Sequence, residues 1–213
     1  LSAIRYLGRT GDLPLTPGLV EEITPATITS YHSHLSDHSG KIAVNTWPGE
    51  PADPITQSGG RAWILAEEWL PYQRDTFITP AFAGYVSGHS GFSRAAAEVM
   101  TLMTGSPYFP GGLSSHTILA GGLLFENGPT VDLTLQWATY YDAADEAGES
   151  RLYGGIHVSP DDGPGRIMGS LIGQSAFTYA QKFWDGSVLQ LSTVDLGETG
   201  ELTYHTIPGY HYT

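Results

Sequence analysis

The chain has 213 residues and a formal net charge of −13, from 9 Lys and Arg against 22 Asp and Glu. That length is enough for one domain with its own core, and the negative charge argues against binding to nucleic acid or to an anionic membrane surface. Cysteine is absent, which excludes disulfides and thiolate metal sites. No run of 18 uncharged apolar residues is present, so the sequence predicts no membrane span.

The first part of the chain predicts little regular structure. Residues 1–60 are rich in Pro, Gly, Ser and Thr, which favours loops, with one short helix near the start. His32, His34 and His38 have a spacing that could bind a metal ion, although a polar loop or helix turn on the surface explains them as well. The stretch GGRAWILAEEWLPYQ, residues 59–73, predicts a helix that follows Gly60 and ends at Pro71, because its apolar residues recur at helical spacing.

Two helices are predicted in the middle of the chain. The stretch GFSRAAAEVMTLMT, residues 91–104, is the clearest, since its alanines and long apolar side chains favour a helix with a wide apolar face. A second helix is expected to begin around Asp132 or Thr134 and to stop at Gly148.

The last part predicts one more helix and a hairpin. Residues 163–186 carry Gly169, Gly173 and Ala176 on one face, a spacing that suits close packing against a neighbouring helix. Residues 187–206 alternate between apolar and polar side chains and predict a β-hairpin. The expected fold is therefore mainly α, with long loops and a small β tail.

A candidate anion site precedes the clearest helix. Gly88 has no Cβ, so a ligand can approach its amide closely, and Ser87 adds a hydroxyl. The N-terminus of the helix offers unpaired N–H groups and a partial positive charge. His89 could act there as an acid or base near neutral pH. An ordinary N-cap explains the same residues.

A second candidate lies in SRLYGGIHVSPDDGPG, residues 150–165. Arg151 can hold an oxyanion through two parallel hydrogen bonds. His157 could attack an electrophilic centre or ligate it, and Asp161 could accept a hydrogen bond from its other ring nitrogen. A chance grouping on the surface is the competing interpretation.

Together, the two stretches resemble the vanadium-dependent haloperoxidases and their relatives, the type 2 phosphatidic acid phosphatase superfamily. The family pattern is a Ser-Gly-His block that opens a helix, then Ser-Arg, five residues, His, three residues and Asp, and both blocks are present at that spacing. The segment TPAFAGYVSGHSGFSRAAAEV is similar to the haloperoxidase version over its whole length. Val86 stands where the family often has Pro.

The resemblance implies a helical bundle of the vanadium haloperoxidase and acid phosphatase type. Residues 1–213 would be one domain, the C-terminal portion of a haloperoxidase-like helical domain, with a loop-rich insertion at 10–60, a catalytic helical core at 61–185 and a β tail at 186–213. The family also carries a Lys and an Arg-Pro pair ahead of an LSAIR-like segment, and the chain begins with LSAIR. We therefore expect those two cations just upstream of Leu1, and weak vanadate binding by this chain alone. Arg74 is the nearest substitute that the chain itself offers.

The resemblance also implies the cofactor and the roles. Vanadate would be the cofactor, and hydrogen peroxide, a halide and a small organic acceptor would be the partners. The protein would be exported from the cell, either secreted or periplasmic, and an oligomer is compatible with the family. The implied site residues are Ser87, the Gly88 amide and Arg151 on vanadate oxygens, His157 on vanadium, Asp161 behind His157, His89 accepting a proton from peroxide, and Phe82 near the halide region.

Two other functions remain open at this point. The first is an acid phosphatase of the same superfamily, in which His157 would be phosphorylated and His89 would protonate the leaving group. The second is a non-catalytic helical domain that binds an oxyanion. The long haloperoxidase-like match over residues 78–98 and the lack of membrane helices favour the peroxidase.

Overall fold

The computed structural model describes residues 2–57, 59–74 and 83–187, together with the backbone of two short strands near the C-terminus. Its elements, in chain order, are α1 (Ser2–Thr10), β1 (Val20–Glu22), α2 (Pro25–Ile28), β2 (Ile42–Thr46), β3 (Ala62–Leu65), α3 (Gly88–Thr104), β4 (Ser114–Ile118), β5 (Leu133–Trp137), α4 (Tyr140–Tyr153), α5 (Ser159–Trp184), β6 (Asp195–Leu196) and β7 (Leu202–Thr203). Helices predominate, and β6 pairs with β7 in an antiparallel hairpin, so the mainly α fold with a small hairpin is confirmed. Within the described residues, no helix is long and apolar enough to cross a membrane.

The first half of the chain contains a three-stranded antiparallel sheet, in the order β1-β2-β3. The predicted helix between Gly60 and Pro71 is wrong, because Ala62–Leu65 pairs with β2, with Trp63 opposite Asn45. A short apolar run fits a strand as well as a helix, and here pairing with β2 satisfies its backbone. The chain then turns through two short 3-10 segments, Ala66–Glu68 and Pro71–Gln73.

The sheet carries two small apolar clusters. One contains Ile23, Leu35, Ala43 and Leu65, and the other contains Ile42, Val44, Ala66 and Trp69. Helix α1 packs against the second, where a Cβ on Gly8 would lie 2.5 Å from the Cβ of Ala66. Residues 1–60 are therefore more structured than their composition predicts.

Helices α3, α4 and α5 form the second half. The predicted close packing of α5 is confirmed at Gly169 and Gly173, which are both buried against α3. A Cβ on Gly173 would lie 2.6 Å from the carbonyl oxygen of Ala95. Ala176 is exposed instead, and the third close contact is made by Gly165, one turn earlier. This spacing of four residues keeps α3 and α5 in contact along their length.

The predicted start and end of the helix around residues 132–148 are wrong. Leu133–Trp137 forms a strand that pairs with β4, and α4 begins only at Tyr140. The physical start signal is a capping box, in which Thr139 accepts from the N–H of Asp142 and the Asp142 carboxylate accepts from the N–H of Thr139. Gly148 does not end the helix: it is buried within α4, which continues to Tyr153.

Candidate oxyanion site

The start of α3 is joined directly to the start of α5. Ser87 is the buried N-cap of α3, and its Oγ accepts a hydrogen bond from the N–H of Ser90 at 3.4 Å. The Ser87 N–H donates to the carbonyl oxygen of Asp161 at 3.0 Å. The two motifs, which lie more than 60 residues apart in the sequence, therefore meet in one place.

Asp161 links these helix ends to His157. Its Oδ2 lies 3.1 Å from Nδ1 of His157, whose side chain is buried. The same oxygen accepts from the N–H of Val158 at 3.4 Å, so the carboxylate sits over the first turn of α5, where the helix dipole favours negative charge. A carboxylate on Nδ1 fixes the orientation of the imidazole ring.

Arg151 lies in the last turn of α4. Its Nη1 donates to the hydroxyl of Tyr72 at 2.8 Å, and the centre of its guanidinium lies 5.9 Å from the Tyr72 ring. Its Nε is buried and makes no hydrogen bond within the described residues. A buried N–H without an acceptor is costly. This donor therefore fits an oxyanion, which would supply the acceptor.

His89 lies in the first turn of α3 and is exposed to solvent. Desolvation of the His89 ring by the atoms packed around it, followed by the positive charges of Arg151 and His157, lowers the pKa of His89 below its usual value. The three residues are thus close enough to repel one another when charged. An anion bound among them would relieve that repulsion.

A buried polar network connects α3, α4 and α5 next to the site. Ser90 Oγ donates to Asp162 at 2.6 Å, and Arg166 Nε donates to the same carboxylate oxygen at 3.0 Å. Burial acts to raise the pKa of Asp162, but hydrogen bonds from Arg166 and Ser90 outweigh it, so the pKa is lowered. Arg166 also pairs with Asp145 of α4 at 3.1 Å. The network ties together the three helices whose ends form the site.

Of the two remaining sequence candidates, the structure describes only Arg74. Phe82 lies outside the described residues. Arg74 pairs with Glu126 at 3.0 Å and donates to the carbonyl oxygen of Phe125, so its contacts are with a surface loop. Tyr72, by contrast, was not singled out from the sequence. Its contact with Arg151 spans 79 residues, and no local pattern signals it.

The three histidines near the start of the chain do not form a metal site. His32 is fully buried, which makes the surface interpretation wrong for this residue, and its ring packs edge-on against Trp63 at 4.6 Å. His34 makes a 2.7 Å hydrogen bond with the carbonyl oxygen of Trp63. Across the described residues, no group of three or more His, Cys, Asp or Glu side chains could hold a metal ion.

The comparisons with solved structures show the fold. This chain is similar to a structure described as "Crystal structure of apo-type bacterial Vanadium-dependent chloroperoxidase", with 22% identity and a TM-score of 0.57, over 68% of this chain and 29% of that chain. The corresponding holo-type bacterial structure gives 22% identity and a TM-score of 0.55, over 66% of this chain and 27% of that chain. The chain therefore spans less than a third of either chloroperoxidase.

A comparison with curated proteins gives no match. Residues 31–186 match the family described as "VCPO second helical-bundle domain", which is well over half of the chain. These residues include both motifs and all three helices of the bundle. The chain therefore belongs to the family of the VCPO second helical-bundle domain and is a vanadium haloperoxidase-like protein.

Proposed function

We propose that this chain supplies the oxyanion site of a vanadate-dependent peroxidase, which oxidises a halide with hydrogen peroxide to a halogenating species at the level of hypohalous acid. One observation carries the proposal. Asp161 joins His157 to the start of α3, Arg151 lies close enough to His89 for its charge to help burial lower the pKa of that histidine, and the Nε of Arg151 is buried without an acceptor. The description of the solved relatives as vanadium-dependent supports vanadate as the oxyanion.

Each donor has a place in such a site. Arg151 would donate to vanadate oxygens through Nε, and Ser87 with the amide of Gly88 would bind others at the N-terminus of α3. His157 would bind vanadium through Nε2, since Nδ1 is engaged by Asp161. Bound vanadate supplies a Lewis acid that activates peroxide.

The chain's own residues manage the protons. Asp161 holds Nδ1 of His157, which fixes the orientation of the ring and leaves Nε2 directed at the ligand. His89, with its lowered pKa, is neutral at pH 7 and can accept a proton from hydrogen peroxide. The overall reaction takes up one proton, oxidises the halide by two electrons and reduces peroxide to water, which leaves hypohalous acid.

The proposal is tested first by binding. Vanadate is titrated into the wild-type chain and into Arg151→Ala by calorimetry, up to millimolar concentrations. A charged hydrogen bond contributes about 1.5–3 kcal/mol, so Arg151→Ala should weaken binding by about 10-fold or more. Arg74→Ala is the matched control, because Arg74 pairs with Glu126 on a surface loop. Equal affinity of Arg151→Ala and the control would contradict the proposed site.

The reaction is then assayed as bromination of monochlorodimedone with peroxide and bromide, beside hydrolysis of p-nitrophenyl phosphate. Bromination supports the peroxidase. Hydrolysis without bromination would instead support the phosphatase, because a His157 held by Asp161 at 3.1 Å is also suited to act as a nucleophile. Binding without either reaction would leave a non-catalytic oxyanion-binding domain.

A further inference from the structure

We propose that Tyr72 is a positioning residue for the oxyanion site: its hydroxyl holds the guanidinium of Arg151 in the orientation that leaves Nε to the ligand. The identity of the ligand rests on the proposed function. The contact between the two side chains does not, because it is present in the chain itself.

Tyr72 is attached to the Arg151 segment at two points. Its hydroxyl accepts from Nη1 of Arg151 at 2.8 Å, and its backbone N–H donates to the carbonyl oxygen of Gly154 at 2.9 Å. Tyr72 belongs to the 3-10 turn that follows the sheet, whereas Arg151 and Gly154 belong to the end of α4. The segment that follows the sheet is therefore hydrogen-bonded to the end of α4, just before the loop that leads to His157.

Packing fixes the ring as well as the hydroxyl. A Cβ on Gly154 would lie 2.6 Å from Cε1 of Tyr72, so the ring lies against bare backbone. The next residue, Gly155, has φ +65°, and a Cβ there would lie 2.5 Å from Cζ2 of the buried Trp69. Two adjacent glycines thus make room for two aromatic rings from one segment.

The backbone of Tyr72 itself is unusual. Its φ of 53° and ψ of 11° place it in the left-handed region, which a bulky residue rarely adopts and which costs free energy. Gln73 follows with φ 48°. The hydrogen bonds of Tyr72 and the packing of its ring hold this backbone conformation, which places the Tyr72 hydroxyl against the guanidinium of Arg151.

Holding the guanidinium matters because arginine is flexible. A free Arg side chain loses rotamer entropy on binding, and a donor that is already oriented loses less. With Nη1 engaged by Tyr72 and Nε buried without an acceptor, the guanidinium presents a defined edge. Removal of the hydroxyl should therefore weaken oxyanion binding about 5- to 10-fold.

The test uses Tyr72→Phe, which keeps the ring against Gly154 and removes only the hydroxyl. Tyr153→Phe is the control, since Tyr153 is 89% exposed. We expect Tyr72→Phe to weaken vanadate binding about 5- to 10-fold, with the control unchanged. In an Arg151→Lys background, the same change should alter affinity by less than about twofold, because the ammonium lacks the guanidinium fork. An equal loss in both backgrounds would mean that Tyr72 does not act through Arg151, and would overturn the proposal.

A second measurement needs no ligand. The side-chain Nε–H resonance of Arg151 is followed by ¹⁵N NMR in the anion-free protein, with the Nε–H of Arg166, which donates to Asp162, as internal reference. In Tyr72→Phe the Arg151 resonance should shift or exchange faster with solvent, and the Arg166 resonance should stay unchanged. An unchanged Arg151 resonance would overturn the proposal even if vanadate binds as proposed. If the Arg151 resonance shifts in Tyr72→Phe but the wild-type chain does not bind vanadate, the contact between Tyr72 and Arg151 is supported and only the proposed function is rejected.

Discussion

The crossing of α3 and α5 provides the sharpest test of the fold, because adding one methyl group at Gly169 should force the two helices apart. In Gly169→Ala, the new Cβ would overlap the carbonyl oxygen of Gly91 and would lie 3.0 Å from its carbonyl carbon and 3.1 Å from the Cβ of Arg94. Backbone atoms of a packed helix cannot move aside as a flexible side chain can, so the helices must shift. Gly91→Ala is the matched control, since its Cβ would lie 3.6 Å from the carbonyl oxygen of Gly165, an ordinary contact.

The expected magnitude follows from comparing the two variants. Both replace a helical glycine by alanine and gain about 1 kcal/mol in helix propensity, so this gain cancels in the comparison. What remains is the overpacking at Gly169, which costs about 1–3 kcal/mol. For a chain of this size, each 1 kcal/mol lowers Tm by about 2–4 °C, so Gly169→Ala should melt about 2–12 °C below Gly91→Ala.

Thermal unfolding followed by circular dichroism measures this difference. Vanadate affinity of the two variants is measured in parallel, because the same crossing holds Ser87 against Asp161. If Gly169→Ala melts at or above the temperature of Gly91→Ala, α3 and α5 do not pack as closely as described, and the geometry of the site would have to be revised.

The remaining predictions concern protonation. An NMR titration should give His89 a pKa below the ordinary histidine value, because of burial and the charges of Arg151 and His157. Bound vanadate should raise that pKa. An equal rise on adding sodium chloride at the same ionic strength would mean that general screening, and not vanadate binding, causes it. Burial also lowers the pKa of His32. The unfolded chain therefore takes up protons near the ordinary pKa of about 6.5 before the folded chain does, so stability present above that pH is lost as the pH falls toward the lower folded pKa values. His32→Phe should reduce that loss in urea unfolding measured at several pH values, and an unchanged pH dependence would show that His32 does not contribute to it.

The sequence alone predicted the parts of this protein that depend on neighbouring residues. The alanine-rich run of α3, the glycine-lined face of α5 and the terminal hairpin are local patterns, and the structure confirms them. The spacing of the two motifs pointed to the family for the same reason, since each block is contiguous. The roles of the individual site residues stay predictions.

Tertiary structure decided what depends on distant partners. Residues 62–65 became a strand because β2 supplied a partner, and Leu133–Trp137 did so because β4 was available. The contacts of Ser90 with Asp162 and of Tyr72 with Arg151 join residues 72 and 79 positions apart. Local periodicity and propensity carry no information about such pairs, because their geometry is set by how the sheet and the helices pack. Only the folded chain could therefore show that Tyr72, which follows the sheet, contacts Arg151 at the end of α4.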